Sequence, residues 1–170
     1  MISEKMTSAL NEQINKEMYS AYLYMSMSAH CSNVGLDGFA NWFMVQYQEE
    51  MTHAMKIYDY LNEQGEKVIL EAIEKPPSEF GTVLEMFEAT LEHEQFITRS
   101  IHELVDLANE EKDYATQIFL QWFVTEQIEE EGNDNEIIAK LKLVGNEGNG
   151  LFMLDREMAA RTFTEPASEQ

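Results

Sequence analysis

Four glutamates and one histidine stand at positions where apolar residues belong. Read at helical spacings of three and four, Leu10, Ile14, Glu17, Ala21, Tyr24 and Met27 form an inward stripe that one acid interrupts. A second stripe, Phe39, Phe43, Gln46, Glu50, His53, Ala54, Ile57 and Leu61, carries an acid and an imidazole three residues apart, on one helix face. The third stripe, Leu84, Phe87, Leu91, Glu94, Thr98, Ile101 and Val105, repeats the anomaly, and so does the fourth, Phe119, Phe123, Gln127, Glu130, Ile137 and Leu141. Each acid lies within about three residues of the middle of its predicted helix, roughly 5 Å along the axis. Packed helices meet at their midpoints whichever way they run, so the five groups converge. Unpaired ionised groups in a core are costly, and a cation has to offset them. Two divalent metals neutralise four carboxylates, and oxygen ligands with one imidazole suit iron or manganese. One such acid alone is ordinarily an edge residue reaching to water. Five coincident anomalies are not explained that way. Di-metal carboxylate bundles take one Glu from each of two helices and Glu-x-x-His from each of the other two. This sequence matches that pattern on three helices and departs on the fourth, which offers Gln127-Ile128-Glu129-Glu130.

The elements that must position these groups are helices. Two of the three prolines are paired at Pro76-Pro77 and the third is Pro166, so long stretches run without a breaker. Helix A is expected from about Glu4 to Val34 behind an N-cap at Ser3, stopped by Gly35. Helix B follows from about Asp37 to Gln64, ended by Gly65. Thr82-Val83-Leu84-Glu85 is a capping box that opens helix C, which reaches about Glu111. Asp113 caps helix D, from about Tyr114 to Val144 with Gly132 inside it. Glycines 145, 148 and 150 separate a short fifth helix at about Leu151 to Arg161. Residues 1–162 form one domain and residues 163–170 a flexible tail. Short connections at Gly35 and at Lys112-Asp113 make A with B, and C with D, antiparallel hairpins. The segment from Gly65 to Gly81 reaches at most roughly 56–61 Å, whereas helix B is roughly 42 Å long, so it can cross the whole bundle. An all-α, up-down-down-up four-helix bundle with one long crossover follows.

Composition agrees with a cation-handling protein. The chain carries 32 acidic against 11 basic residues, a formal charge of −21, which repels nucleic acid and anionic lipid. Its single cysteine, Cys31, excludes an internal disulfide framework or a paired-cysteine metal site. With no signal-peptide pattern and no long apolar segment, a cytoplasmic location is expected.

The combination of Glu17, Glu50-Met51-Thr52-His53, Glu94 and Gln127-Ile128-Glu129-Glu130 resembles the ferroxidase centre of the prokaryotic non-haem ferritins. The likeness extends over nearly the whole chain, with Tyr19-Ser20-Ala21-Tyr22, Phe119-Leu120-Gln121-Trp122 and the short fifth helix. It implies a ferritin-like bundle that oxidises Fe²⁺ with O₂ (or H₂O₂) and stores ferric mineral in a hollow shell of 24 copies. It further implies that Glu17, Glu50 and His53 hold one iron, that Glu50 bridges, and that Glu94 with Glu130 hold the second, with Gln127 beside it. Tyr24 resembles a family tyrosine that orients ligands and supplies an electron; ordinary core packing is the alternative. Trp122 is similar to a family tryptophan near the site. Glu49, Glu126 and Glu129 match a third iron site of these ferritins, against the plainer reading of a solvated acidic face.

Other readings fit less well. Met51 stands where bacterioferritins have a haem-ligating methionine, but helix D lacks their histidine, so no haem is expected. Rubrerythrins need a cysteine-rich domain. Mini-ferritins lack the fifth helix and place iron between subunits. A purely structural acidic bundle does not require the ligand set. His30, His93 and His102 are expected outside the site, and the methionines as core filler.

Overall fold

The computed structural model describes residues 2–145 and 148–164. Five helices make up the described chain: α1 Glu4–Asn33, α2 Asp37–Glu63, α3 Val83–Glu111, α4 Tyr114–Val144 and α5 Gly148–Met158. Residues 165–170 of the expected tail lie outside the described residues.

Local chemistry sets the helix ends. The Ser3 hydroxyl accepts from the Met6 amide at 3.0 Å and starts α1. Thr82 and Glu85 form both bonds of a capping box at the start of α3. Asp113 accepts from the Thr116 amide at 3.1 Å and starts α4. The α1–α2 turn needs Gly35, whose φ is 79°, a left-handed conformation that a side chain would strain.

Leu36 cannot cap α2 with its side chain, and α5 supplies the cap instead. Asp155 Oδ1 accepts from the Phe39 amide at 3.0 Å. The approach is so close that a Cβ on Gly38 would sit 1.6 Å from the Asp155 carbonyl oxygen. Asn41 then donates to the carbonyls of Met158 and Arg161, at 3.2 and 2.9 Å, and ties the segment after α5 to α2.

Direction along the bundle is fixed by the crossover. Asn11 donates to the Lys67 carbonyl and accepts from the Ile69 amide, Asn15 donates to Ala72, and Ser26 to Pro77. The crossover therefore travels beside α1 in the same sense, and α3 begins near the end of α1. Ser3 at the start of α1 correspondingly bonds Glu111 at the end of α3. The arrangement is up-down-down-up.

Two apolar cores fill the bundle. One, around Phe39, Trp42, Phe43 and Phe87, lies at the α5 end. The other, around Ile14, Ile57, Leu61, Ile101 and Phe123, lies at the opposite end. Glu17, Glu50, Glu94 and Glu130 occupy the level between them, all buried.

Two expectations need correction. The buried face of α3 is Val83, Met86, Phe87, Thr90, Glu94, Ile97, Ile101 and Leu104, so Leu84, Leu91, Thr98 and Val105 sit on its edge. Helix α5 starts at Gly148 and ends at Met158, about three residues earlier at each end than expected. Its glycines fall in the first turn, where the leading backbone N–H groups have no partner inside the helix, and Asn41 draws off the carbonyls at the other end.

Candidate metal centre

Helices α1 and α2 bring Glu17, Glu50 and His53 together. One ligand atom from each lies within 4.8 Å of the others, and all three residues are at most 2% exposed. His53 Nδ1 stands 3.3 Å from Glu50 Oε2. The imidazole is held edge-on by Trp122, with ring centroids 5.4 Å apart, and by Phe123 at 6.1 Å. Helix α4 contributes a second group on the far side of the same ring, in which His53, Glu126 and Glu130 also converge within 4.8 Å.

Each of the four buried carboxylates accepts from a neutral donor. Gln13 Nε2 donates to Glu17 Oε1 at 2.7 Å, and Gln13 is held in turn by Ser100. Gln46 Nε2 donates to Glu130 Oε2 at 2.7 Å and more distantly to Glu50 Oε1 at 3.3 Å. Gln127 Nε2 donates to Glu94 Oε2 at 3.1 Å, and the Tyr24 hydroxyl donates to Glu94 Oε1. What remains is decisive: Glu17 Oε2 and Glu50 Oε2 are buried without any hydrogen-bond partner. Buried carboxylate oxygens of that kind are costly unless a cation meets them. The donor set of oxygens and one imidazole nitrogen suits iron.

Electrostatics reinforce the point. Burial raises the Glu17 pKa and, with Glu94 and Glu17 nearby, raises Glu50 well above the usual carboxylate range. Burial, then Glu94 and Glu50, do the same for Glu130, and burial raises Glu94 against the bonds from Tyr24 and Gln127. Burial and Glu94 also push the Tyr24 phenol well up, so it keeps its proton and stays a donor. Without metal the cluster retains protons, and metal binding displaces them.

The residues expected at a third site are arranged unevenly. Glu126 Oε1 lies 4.0 Å from His53 Nε2, Glu49 pairs with Arg161, and Glu129 is exposed. His93 lies outside the centre, with Nε2 2.7 Å from Ser20 Oγ and its pKa lowered by burial to about 4.

Sequence reasoning passed over Gln13, Arg161 and Asp134, and read Gln46 only as a stripe residue. Gln13 and Gln46 each stand four residues before a ligand glutamate, a spacing that places the amide beside the carboxylate. Asp134 stands four residues after Glu130 on the buried face of α4.

A four-helix bundle with a long crossover and a buried carboxylate–histidine centre defines the ferritin-like class. Residues 7–144 match the family model for the ferritin-like domain, and the chain belongs to that family. The bacterial non-heme ferritin of Staphylococcus saprophyticus is 45% identical over 165 residues, spanning 97% of this chain and 99% of its own length. That of Staphylococcus aureus strain USA300 is 41% identical over the same shares. The open pore ferritin of the hyperthermophilic archaeon Archaeoglobus fulgidus superposes with a TM-score of 0.94 at 52% identity, covering 95% of this chain and 100% of that one. Within the family the chain groups with the prokaryotic non-haem ferritins, which store iron.

Proposed function

We propose that this chain is a ferroxidase: it oxidises Fe²⁺ with O₂ at two adjoining positions inside each subunit and passes the ferric product to a mineral stored in a closed shell of 24 copies. The observation that carries the proposal is the pair of orphaned oxygens, Glu17 Oε2 and Glu50 Oε2, beside the His53 ring. Iron is the substrate. Glu17, Glu50 and His53 would take one ion, Glu94 and Glu130 the other, and Glu50 lies between them as the bridge. Two ferrous ions supply two electrons, and O₂ takes them with two protons to leave hydrogen peroxide.

The chain's own groups set the conditions for that exchange. Gln13, Gln46 and Gln127 each hold an oxygen of these carboxylates, and Glu17 and Glu50 keep their second oxygen unpartnered, so the ligands are oriented before iron arrives. Tyr24 fixes Glu94 from the opposite side. The second position has no imidazole and holds its ion less firmly, which favours departure of the oxidised metal. Among the described residues no helix is long and apolar enough to cross a membrane. The proposed protein is a shell-forming homo-oligomer working in the cytoplasm, and no haem is expected in it.

Metal-free protein given Fe²⁺ in air is expected to consume O₂ and develop ferric absorbance many times faster than iron in buffer alone. Sedimentation is expected to give the mass of 24 chains. An oxidation rate equal to the buffer blank would end the ferroxidase reading, and a monomer or dimer in both iron-free and iron-loaded protein would end the shell.

Glu126 beside His53, with Glu49 and Glu129 on adjoining turns, supports a third position for ferric iron in transit. Glu49→Ala, Glu126→Ala or Glu129→Ala is expected to change the ratio of iron to O₂ consumed and the recovery between additions. Fast oxidation of the first two irons is expected to persist. Unchanged ratios by oxygen electrode in all three variants would assign these residues to the solvated face.

A further inference from the structure

Among the described residues, Arg161 is the one basic side chain of the C-terminal segment that pairs with an acid beside the centre, and its placement is built rather than incidental. Its guanidinium pairs with Glu49 Oε2 and donates to Gln46 Oε1 at 2.9 Å and to the Trp42 carbonyl at 3.3 Å. It lies over the Trp42 ring at 4.4 Å, and its own carbonyl accepts from Asn41 at 2.9 Å. The side chains of Arg161 and Glu49 are only 19% and 23% exposed, so water screens the pair weakly.

Two consequences follow from that geometry. First, Glu49 already has a cation. The guanidinium neutralises the carboxylate that would serve a third metal, and an incoming ion must displace it or share it. Second, the bond to Gln46 Oε1 fixes which way that amide points. With its oxygen toward Arg161, its nitrogen faces Glu130 and Glu50, as found. One arginine thus touches both the third-site acid and the donor that orients the main centre.

We propose that Arg161 is a resident counter-ion of the third site, a positioning residue that competes with metal for Glu49. Filling that site displaces the guanidinium from Glu49 and loosens its stacking on Trp42. The proposal rests on the third-site reading above and adds what limits its occupancy. A third ion then binds weakly and leaves readily, because the arginine restores the carboxylate's partner as soon as the metal goes.

The test uses assembled, metal-free shells and a redox-inert probe, Tb³⁺, so that oxidation plays no part. The third-site step is defined as the binding step that Glu49→Gln removes. Arg161→Gln is expected to tighten that step about tenfold, because a competing charge is gone, and Arg161→Lys to tighten it less, because charge remains without the fork. The double variant Arg161→Gln/Glu49→Gln is expected to lose the gain. In a Trp122→Phe background, Trp42 emission is expected to change at that step in protein that keeps Arg161, a readout that does not depend on the arginine variants assembling. An unchanged or weaker step in Arg161→Gln, or constant Trp42 emission through the step, overturns the competition while leaving the third site standing. Absence of any Glu49-dependent step in the protein with or without Arg161 removes the third site and the competition together.

Discussion

Glu50→Ala is expected to slow rapid Fe²⁺ oxidation by on the order of a hundredfold or more while the shell still assembles. In the proposed centre Glu50 is the carboxylate that both metal positions would share: it lies 3.3 Å from His53 on one side and accepts from Gln46, the same amide that orients Glu130, on the other. Its removal therefore leaves neither position complete, whereas losing Glu17 or Glu130 spares one. The fold is expected to survive because the carboxyl contributes little in the metal-free chain beyond one long hydrogen bond, from Gln46 at 3.3 Å. Burial and the neighbouring Glu94 and Glu17 all disfavour its charge, and one oxygen has no hydrogen-bond partner. Deleting a buried ionisable group in such surroundings is neutral or stabilising once its metal is absent. Glu50→Gln keeps the volume and separates loss of the ligand from loss of packing. His53→Ala is expected to behave like Glu50→Ala. Stopped-flow absorbance with wild-type rates in any of these variants would dismantle the proposed centre, and failure of Glu50→Gln to assemble would contradict the claim that the carboxylate is dispensable to the fold.

How far the sequence carried this reading varies along the chain. Helices α1 and α2 present the expected faces, and α4 does so except at Phe119, which is half-buried while Leu120 takes the core position. Helix α3 does not, since it is apolar on two adjoining faces: Leu84, Leu91 and Val105 on one, Val83, Met86, Ile97 and Leu104 on the next. The buried face carries Thr90 and Ser100, so polarity does not separate it from its neighbour. Glu94 belongs to both readings, so the centre was legible although the face was not. The orienting glutamines were legible in principle, four residues ahead of Glu17 and Glu50. Arg161 was not, because only the docking of α5 on the first turn of α2, through Asp155 and the missing Cβ of Gly38, brings it to Glu49.

Asp134→Asn is expected to stabilise the metal-free protein, and to do so more at pH 8 than at pH 5. Asp134 is 2% exposed, and its Oδ2 has no hydrogen-bond partner. Burial first, and the nearby Glu94 carboxylate second, raise its pKa from 3.8 to about 8, with Arg161 opposing weakly. The folded chain therefore holds a proton on Asp134 that the unfolded chain has released between those two values. Stability falls wherever the folded state binds more protons and pH rises, so this group's penalty is absent below pH 4, grows through neutrality and levels off above pH 8. Asparagine cannot ionise and escapes it. A shift of that size corresponds to about 6 kcal/mol between the two ends of the window. Asp134→Leu, which extends the apolar face of Ile137, Ile138 and Leu141, is expected to gain similarly. Guanidinium unfolding of chelator-treated protein at pH 5 and pH 8 reads the effect, with the wild-type midpoint falling between the two and the Asn variant's falling less. Midpoints that move in parallel for wild type and variant would mean that Asp134 is already charged in the fold, satisfied by a partner other than a proton.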